Sequence, residues 1–361
     1  MDLTSTHQAP AVGVDTHAHY FGLDLADRLP GIRDPRWPAL HRSGTGGGAI
    51  MLGDKVFRNV RSVLWDVDER IAELDAADIR TQLISPVPVM LAYWAHESVA
   101  VACARATNDS IAAAVARSGG RLAGLGTVPL PHVDSAVEEL RRAVLDLGLA
   151  GVEIGTQISG ADLDAPFLAP FFEAAESLGA AVFVHPTDGG GGVIRRGGQP
   201  YDFGLGMITD TAVAATALVF GGVLERFANL RVGLAHGCGT FPWAFPRLGL
   251  GAKIWHGADQ GRAAELVRSL WVDSLVFDPA HLSLLVRRFG RGHVMLGTDY
   301  PFVPGQLEGA ADFLASARDI GALDAATARD IHAANGLAFL QTPSVIASRT
   351  TISDTAGGPD D

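Results

Sequence analysis

The sequence predicts an α/β chain folded as a (β/α)8 TIM barrel with a small insertion after the first strand. Three observations carry that expectation. Eight short apolar runs rich in β-branched residues recur along the chain, helix-patterned segments separate most of them, and polar residues close several runs at their C-terminal ends.

The runs lie near residues 12–17, 81–89, 122–130, 150–156, 180–187, 231–239, 270–277 and 293–302. Between them, "DERIAELDAADI", "DSAVEELRRAVLDLG" and "APFFEAAESLG" have helical spacing, and the last two end at Gly148 and Gly179, the usual C-terminal stop. With 361 residues the chain is long enough for two average domains or one large barrel. Neither a Gly-rich dinucleotide loop nor a P-loop follows any strand, so an open doubly wound sheet is the weaker alternative. A single barrel is therefore expected over residues 1–341, with no internal repeat beyond the βα alternation.

Two connections are long. Residues 20–65 contain "GTGGG" and then "DKVFRNVR", which read as a loop plus a small strand insertion. Residues 186–206, "PTDGGGGVIRRGGQPYDFGLG", are Gly-rich with two arginines. Long loops at the strand C-termini of a barrel serve as active-site lids or subunit contacts. The tail 342–361 lacks periodicity and reads as disordered.

Composition narrows the function. Apolar residues make up 48%, ample for a sizeable core, and the net charge of −12 argues against nucleic acid or an anionic membrane as partner. An acidic substrate would have to meet a local basic cluster. Cys103 and Cys238 are too few for a disulfide framework, which suits a reducing cytosol. No signal pattern opens the chain and no apolar run reaches the roughly 18 residues of a membrane span, so a soluble cytoplasmic protein is expected.

The polar residues at the strand ends form a pattern. His17 and His19 sit at i and i+2, on one face of strand 1; His185 ends strand 5, His236 strand 6 and Asp299 strand 8. A histidine at a strand end is commonly a hydrogen-bonded structural residue, and Asp299 in "GTDYP" has an ordinary reading as a turn residue. In a closed barrel, however, these ends surround one mouth. Neutral imidazoles plus one carboxylate suit a borderline divalent cation, with Zn2+ first and Mn2+ or Fe2+ as alternatives.

In that order the residues resemble the amidohydrolase superfamily of metal-dependent barrel enzymes. Its two-metal members carry a carbamylated lysine at strand 4. Here "GVEIGT" stands there, and no lysine occurs between Lys55 and Lys253, so the resemblance implies one metal. Glu153 reads as a structural or outer acid beside it. The stretches "DKVFRNVRSVLWDVDERIAELD", "PVPVMLAYWA", "GLGTVPL", "VFVHP", "LAHGCGTFPW" and "LGTDYPF" are similar to the 2-amino-3-carboxymuconate-6-semialdehyde decarboxylase family, over residues 17–340.

That resemblance implies His17, His19, His185 and Asp299 as ligands of one divalent ion, with Asp299 also in the catalytic set. It implies His236 as acid/base beside the metal-bound water and Arg58 as the grip on a substrate carboxylate. It also implies Arg247 donated across a homodimer interface. Taken alone, either arginine would be a surface residue. The implied partner is a small-molecule carboxylate, and the implied reaction is non-oxidative decarboxylation of a carboxylated muconate semialdehyde or a related aromatic or unsaturated acid. A mononuclear hydrolase of a lactone or amide, and a barrel that binds without catalysis, are the alternatives. Two departures fall where substrate would lie. Pro186-Thr187-Asp188 replaces the family's usual Pro-Trp-Asp, and Val303-Pro304-Gly305-Gln306 replaces Pro-Leu-Gly-Glu. Thr for Trp removes a large flat contact and widens or wets the site.

Overall fold

The chain path begins with β1 (Gly13–Tyr20) and passes through a three-stranded antiparallel sheet, β2 (Pro38–Arg42), β3 (Gly47–Leu52) and β4 (Lys55–Arg61), before it re-enters the barrel. The later strands are β5 (Ile79–Pro86), β6 (Leu122–Gly126) and β7 (Gly151–Gly155). A small hairpin of β8 (Gln157–Ile158) and β9 (Ala161–Asp162) comes next, then β10 (Ala181–His185), β11 (Arg231–Leu234), β12 (Trp271–Asp273) and β13 (Val294–Met295). This computed structural model describes residues 13–29, 31–44, 46–187 and 189–340. The tail read as disordered, 342–361, lies outside the described residues, as does Asp188.

Eight parallel strands follow in the order β1-β5-β6-β7-β10-β11-β12-β13. The (β/α)8 expectation holds, and the insertion after strand 1 is the small antiparallel sheet. All eight expected strands exist, but the last three leave the ladder early. After Leu234 the chain enters a tight turn at His236–Cys238 instead of continuing to residue 239. After Met295 it bonds back to β1: the Thr16 N–H donates to the Leu296 carbonyl at 2.9 Å and the His19 N–H to the Tyr300 carbonyl at 2.7 Å. Those bonds close the barrel.

Helices wrap the sheet. They begin with α1 (Leu25–Arg28), α2 (Val67–Ala76), α3 (Glu97–Arg117), α4 (Val133–Arg141) and α5 (Ala169–Leu178). After these come α6 (Met207–Phe220), α7 (Val223–Arg226) and α8 (Phe241–His256). Asp66 caps α2, its carboxylate accepting from the N–H groups of Asp68 and Glu69 at 3.0 Å. The helical segment Asp202–Phe220 is long and apolar enough to cross a membrane, contrary to the sequence expectation, but half of it is buried in the protein. Ala214, Ala215 and Leu218 within it join the core between sheet and helices. Asp202, Thr209, Asp210 and Thr211 punctuate this segment, so it does not read as an apolar run.

Strand alternation explains where the site lies. In β10, Val182 and Val184 pack outward with Phe171 and Phe172 of α5, while Ala181, Phe183 and His185 share the inward face. In β7, Val152 and Ile154 point outward, leaving Glu153 inward. Leu83, Leu125, Phe183 and Met295 meet Phe339 in one inner cluster. The inward rows are thus apolar low in the barrel and polar at their C-terminal ends.

Candidate metal centre and active site

Three residues of β1, Thr16 to Ala18, oppose two of β5 beyond the Asp15–Gln82 pair; this irregularity re-aims the strand end. The rings of His17 and His19 stand 5.3 Å apart, each about 5 Å from the ring of His185 (5.1 and 5.0 Å). Asp299 completes the group: its Oδ1 lies 3.2 Å from His19 Nε2 and 3.8 Å from His17 Nε2. One ligand atom from each of the four lies within 4.8 Å of the others, and all four residues are buried.

Each imidazole is anchored through its outer nitrogen. His17 Nδ1 meets Asp273 Oδ2 at 2.6 Å, His19 Nδ1 meets the Pro86 carbonyl at 3.0 Å, and His185 Nδ1 meets the Pro186 carbonyl at 2.7 Å. The three Nε2 atoms are buried and make no hydrogen bond that meets normal geometry among the described residues; only Asp299 lies near those of His17 and His19. A carboxyl or carbonyl behind Nδ1, with Nε2 presented inward, is how proteins hold metal-ligating histidines. Tetrahedral zinc with Zn–N near 2.0–2.1 Å sets its ligand atoms on the order of 3.3 Å apart. The cluster fits such an ion with small side-chain movements.

Sequence reasoning missed Asp273. It ends the inward row of β12, and its Oδ2 accepts from His17 Nδ1 and from the His236 N–H (2.9 Å). Its Oδ1 accepts from the N–H groups of Gly237 (2.8 Å) and Leu275 (3.1 Å). One carboxylate therefore positions both a ligand and the neighbouring turn. In the sequence this strand reads on to residue 277, so Asp273 falls inside it and the strand-end pattern passes it over, whereas the strand ends at Asp273. A second buried chain lies behind β1. Arg70 donates to the His19 carbonyl and to Gln82 Oε1, each at 2.6 Å, and Gln82 Nε2 and Thr298 Oγ1 donate to Asp15 Oδ2 at 2.8 and 2.7 Å.

His236 stands beside the cluster, its ring 5.1 Å from His185 and 5.3 Å from His17. It begins a left-handed turn in which His236 (φ 56°), Gly237 (φ 59°) and Cys238 (φ 66°) all have positive φ. A Cβ on Gly237 would lie 2.5 Å from Val276. Asp299 is also left-handed, at φ 54°. Non-glycine residues in this region cost on the order of 1–3 kcal/mol each, and such strain collects at functional sites.

Electrostatics separate the groups. Burial opposes a charged His17, but the Asp273 hydrogen bond and charge override it and hold the imidazole up at about 9 in the metal-free protein. Asp273 is correspondingly held low: burial pushes against its charge, but the His17 hydrogen bond wins. Burial pushes His236 down to about 4 and His185 well below the usual imidazole range, with neighbouring histidines adding to both. His236 is therefore uncharged at neutral pH. Burial also raises Glu153 to about 7. Glu153 accepts from Ser85 Oγ at 2.7 Å and lies 4.0 Å from His19 Nδ1, outside the four-residue cluster.

A cavity of about 210 Å³ opens onto His19, His185, His236 and Asp299. That is smaller than the roughly 300–1,000 Å³ usual for drug-sized ligands, so it suits a small molecule. Arg58, on β4 of the inserted sheet, lines it and stacks over Phe302 at 5.1 Å; Phe302 in turn lies 5.4 Å from the His19 ring. Arg247 is not brought there. It lies exposed on α8, away from the cavity of its own chain.

Comparison with known proteins agrees with this arrangement. The amidohydrolase family model matches residues 14–341. The chain is 38% identical over 310 residues to 2-amino-3-carboxymuconate-6-semialdehyde decarboxylase of Dictyostelium discoideum, covering 81% of this chain and 84% of the relative. It is 30% identical to the enzyme of that name from Caenorhabditis elegans, covering 82% and 86%. Among solved structures, 5-carboxyvanillate decarboxylase from Sphingomonas paucimobilis shares the fold with a TM-score of 0.74 at 23% identity, covering 92% of this chain and 99% of that one. A dihydroxybenzoic acid decarboxylase from Polaromonas sp. JS666, solved with bound manganese, gives 0.69 at 20% identity, covering 91% and 96%.

Proposed function

The chain belongs to the amidohydrolase family, and on that premise we propose that it is a metal-dependent decarboxylase, releasing CO2 without oxidation from a small unsaturated or aromatic acid of the 2-amino-3-carboxymuconate-6-semialdehyde type. The observation that carries this reading is one small cavity onto which His19, His185 and Asp299 of the four-residue cluster open together with Arg58 and His236. Relatives at 38% and 30% identity are decarboxylases, which favours CO2 release over hydrolysis of a lactone or amide.

His17, His19, His185 and Asp299 hold one divalent ion, Zn2+ by donor set, with Mn2+ or Fe2+ as substitutes. When bound, that ion supplies Lewis-acid stabilisation of the negative charge that develops as CO2 leaves. Arg58 orients a substrate carboxylate through two parallel N–H···O bonds, its plane steadied on Phe302. His236, uncharged because buried, moves the proton between its ring nitrogen and the reacting carbon or water.

Arg247 belongs to the site of a second copy in this reading. Trp243, Arg247, Leu250 and Ile254 follow helical spacing along one side of α8, and the three apolar members are 82%, 51% and 61% exposed. An apolar stripe of that kind around an arginine fits a homodimer interface that delivers the guanidinium to the partner's cavity. Cys103 and Cys238 are both buried and free, which fits a reducing cytoplasm.

The test is direct. Protein loaded separately with Zn2+, Mn2+ and Fe2+ is assayed with aminocarboxymuconate semialdehyde and with salicylate-type acids, and evolved CO2 and metal content are measured. We expect CO2 in step with product and about one ion per chain. Product that gains water without CO2, or full activity in metal-free protein, would overturn the reading.

A further inference from the structure

The glycine-rich connection 186–206 has a purpose that the metal cluster does not explain. It contributes Thr187, Gln199, Asp202 and Phe203 to the cavity wall. Among the described residues, the charged side chains lining the cavity are Arg58, Asp299 and Asp202. Asp299 belongs to the metal cluster and Arg58 to the carboxylate grip, so Asp202 is the charge left without a task.

Asp202 is seated by glycines. A Cβ on Gly189 would lie 2.4 Å from the Asp202 Cβ and 2.5 Å from its Cγ, so no larger residue fits beneath it. The Gly198 N–H donates to Asp202 Oδ1 at 2.9 Å. Among the described residues Oδ2 has no partner, and no arginine or lysine stands within ion-pair distance of this carboxylate. The carboxylate is thus held by one backbone N–H, keeps acceptor capacity on its other oxygen, and belongs to a residue of the cavity wall. Thr187 lines the same wall, where a tryptophan would have filled the space.

We propose that Asp202 is a specificity-determining residue that accepts a hydrogen bond from an amino or hydroxyl substituent of the substrate acid. It thereby selects acids bearing such a donor over those bearing a second carboxylate at that position. Arg58 holds the negative end and Asp202 reads the donor end; like charge opposite Asp202 is excluded by repulsion. The proposal rests on the decarboxylase reading only in taking the ligand to be a small acid held at Arg58.

The experiment therefore measures binding and not turnover. Metal-loaded protein is titrated calorimetrically with salicylate, with its 4- and 5-amino derivatives, and with its 4- and 5-carboxy derivatives. Wild-type protein is expected to bind one amino derivative at least about tenfold more tightly than the matched carboxy derivative, the effect of one hydrogen bond to a charged acceptor. Asp202→Asn is expected to reduce that ratio about tenfold, and Gly189→Ala, which displaces the carboxylate while keeping it, to reduce it also. Because the readout is a ratio within one protein, a general loss of affinity cancels. An unchanged ratio in both variants overturns the proposal, as does wild-type protein that binds the carboxy derivatives equally well or binds no probe. A ratio that behaves as expected in a protein that evolves no CO2 overturns the decarboxylase reading and leaves this one standing.

Discussion

Replacing Asp273 with asparagine should change how metal affinity depends on pH, and the size of the change follows from the geometry. In the metal-free protein His17 holds its proton up to about 9, against 6.5 for an ordinary imidazole, once burial is overridden by Asp273. A cation arriving at pH 7 must displace that proton. Two pH units of displacement cost about 2.7 kcal/mol, roughly a hundredfold in apparent affinity. Wild-type affinity should therefore rise about tenfold per unit between about pH 7 and 9 as the competing proton leaves.

Asparagine removes the charge and leaves one acceptor oxygen where Asp273 uses two to take four bonds. His17 then returns toward its ordinary value, and the slope should flatten. At about pH 9, where the proton costs the wild-type protein only about twofold, the lost anchor should cost about 10–100-fold in affinity. Near pH 7 the roughly hundredfold gain from losing that proton should offset the lost anchor or exceed it by up to about tenfold. Competition with a chelator across that range, together with proton release on metal binding, measures both. Parallel slopes in the two proteins would refute the argument, because they would mean that Asp273 does not set the proton His17 carries. The sign also governs stability. With a folded value above the unfolded one, the His17–Asp273 pair contributes fully below about pH 6.5 and is lost as pH rises through about 9 in metal-free protein.

His236→Ala should keep its metal, because the imidazole lies beside the four-residue cluster and not in it, yet lose on the order of 10²–10⁴ in kcat; equal loss of metal would demote it to a structural role. Mixing Arg58→Ala with Arg247→Ala should recover about a quarter of wild-type activity, since half the dimers are mixed and each carries one intact site; no recovery at any ratio would argue that Arg247 does not cross an interface. Glu153→Gln should blunt the fall in metal-free stability as pH rises. Burial lifts this acid to about 7 from 4.5, so its contribution is complete below about 4.5 and lost through 7, a span of at most about 3 kcal/mol. Thermal unfolding of both proteins between about pH 5 and 8 decides it, parallel profiles being the contrary result.

Much of the barrel was legible because its strands are covered on both sides and so read as apolar runs, and because helices end at glycines such as Gly179 (φ 60°). The candidate ligands were legible because inward rows such as Ala181, Phe183 and His185 end in a polar residue at the mouth. What stayed hidden depends on contacts between distant segments. Asp273 takes on meaning only beside His17, 256 residues away, and beside the backbone of the His236 turn. The Arg70–Gln82–Asp15–Thr298 chain is likewise assembled across the barrel seam from four separate segments. Strand ends were overrun where local propensity favoured extension but Asp299 and His236 adopt positive φ. The glycines near 189 announced a loop, but not the carboxylate they seat.

The closing seam has a consequence for biosynthesis. His17 and His19 leave the ribosome well before Asp299, whose N–H is then bound by the His17 carbonyl at 2.8 Å. A nascent or truncated chain that stops before β13 carries two of the imidazoles in a row but cannot complete the cage. Tight capture of a cation by these four residues would thus report that the first and last barrel strands have met. A chain cut short would be left metal-poor, open along one side, and exposed to proteolysis.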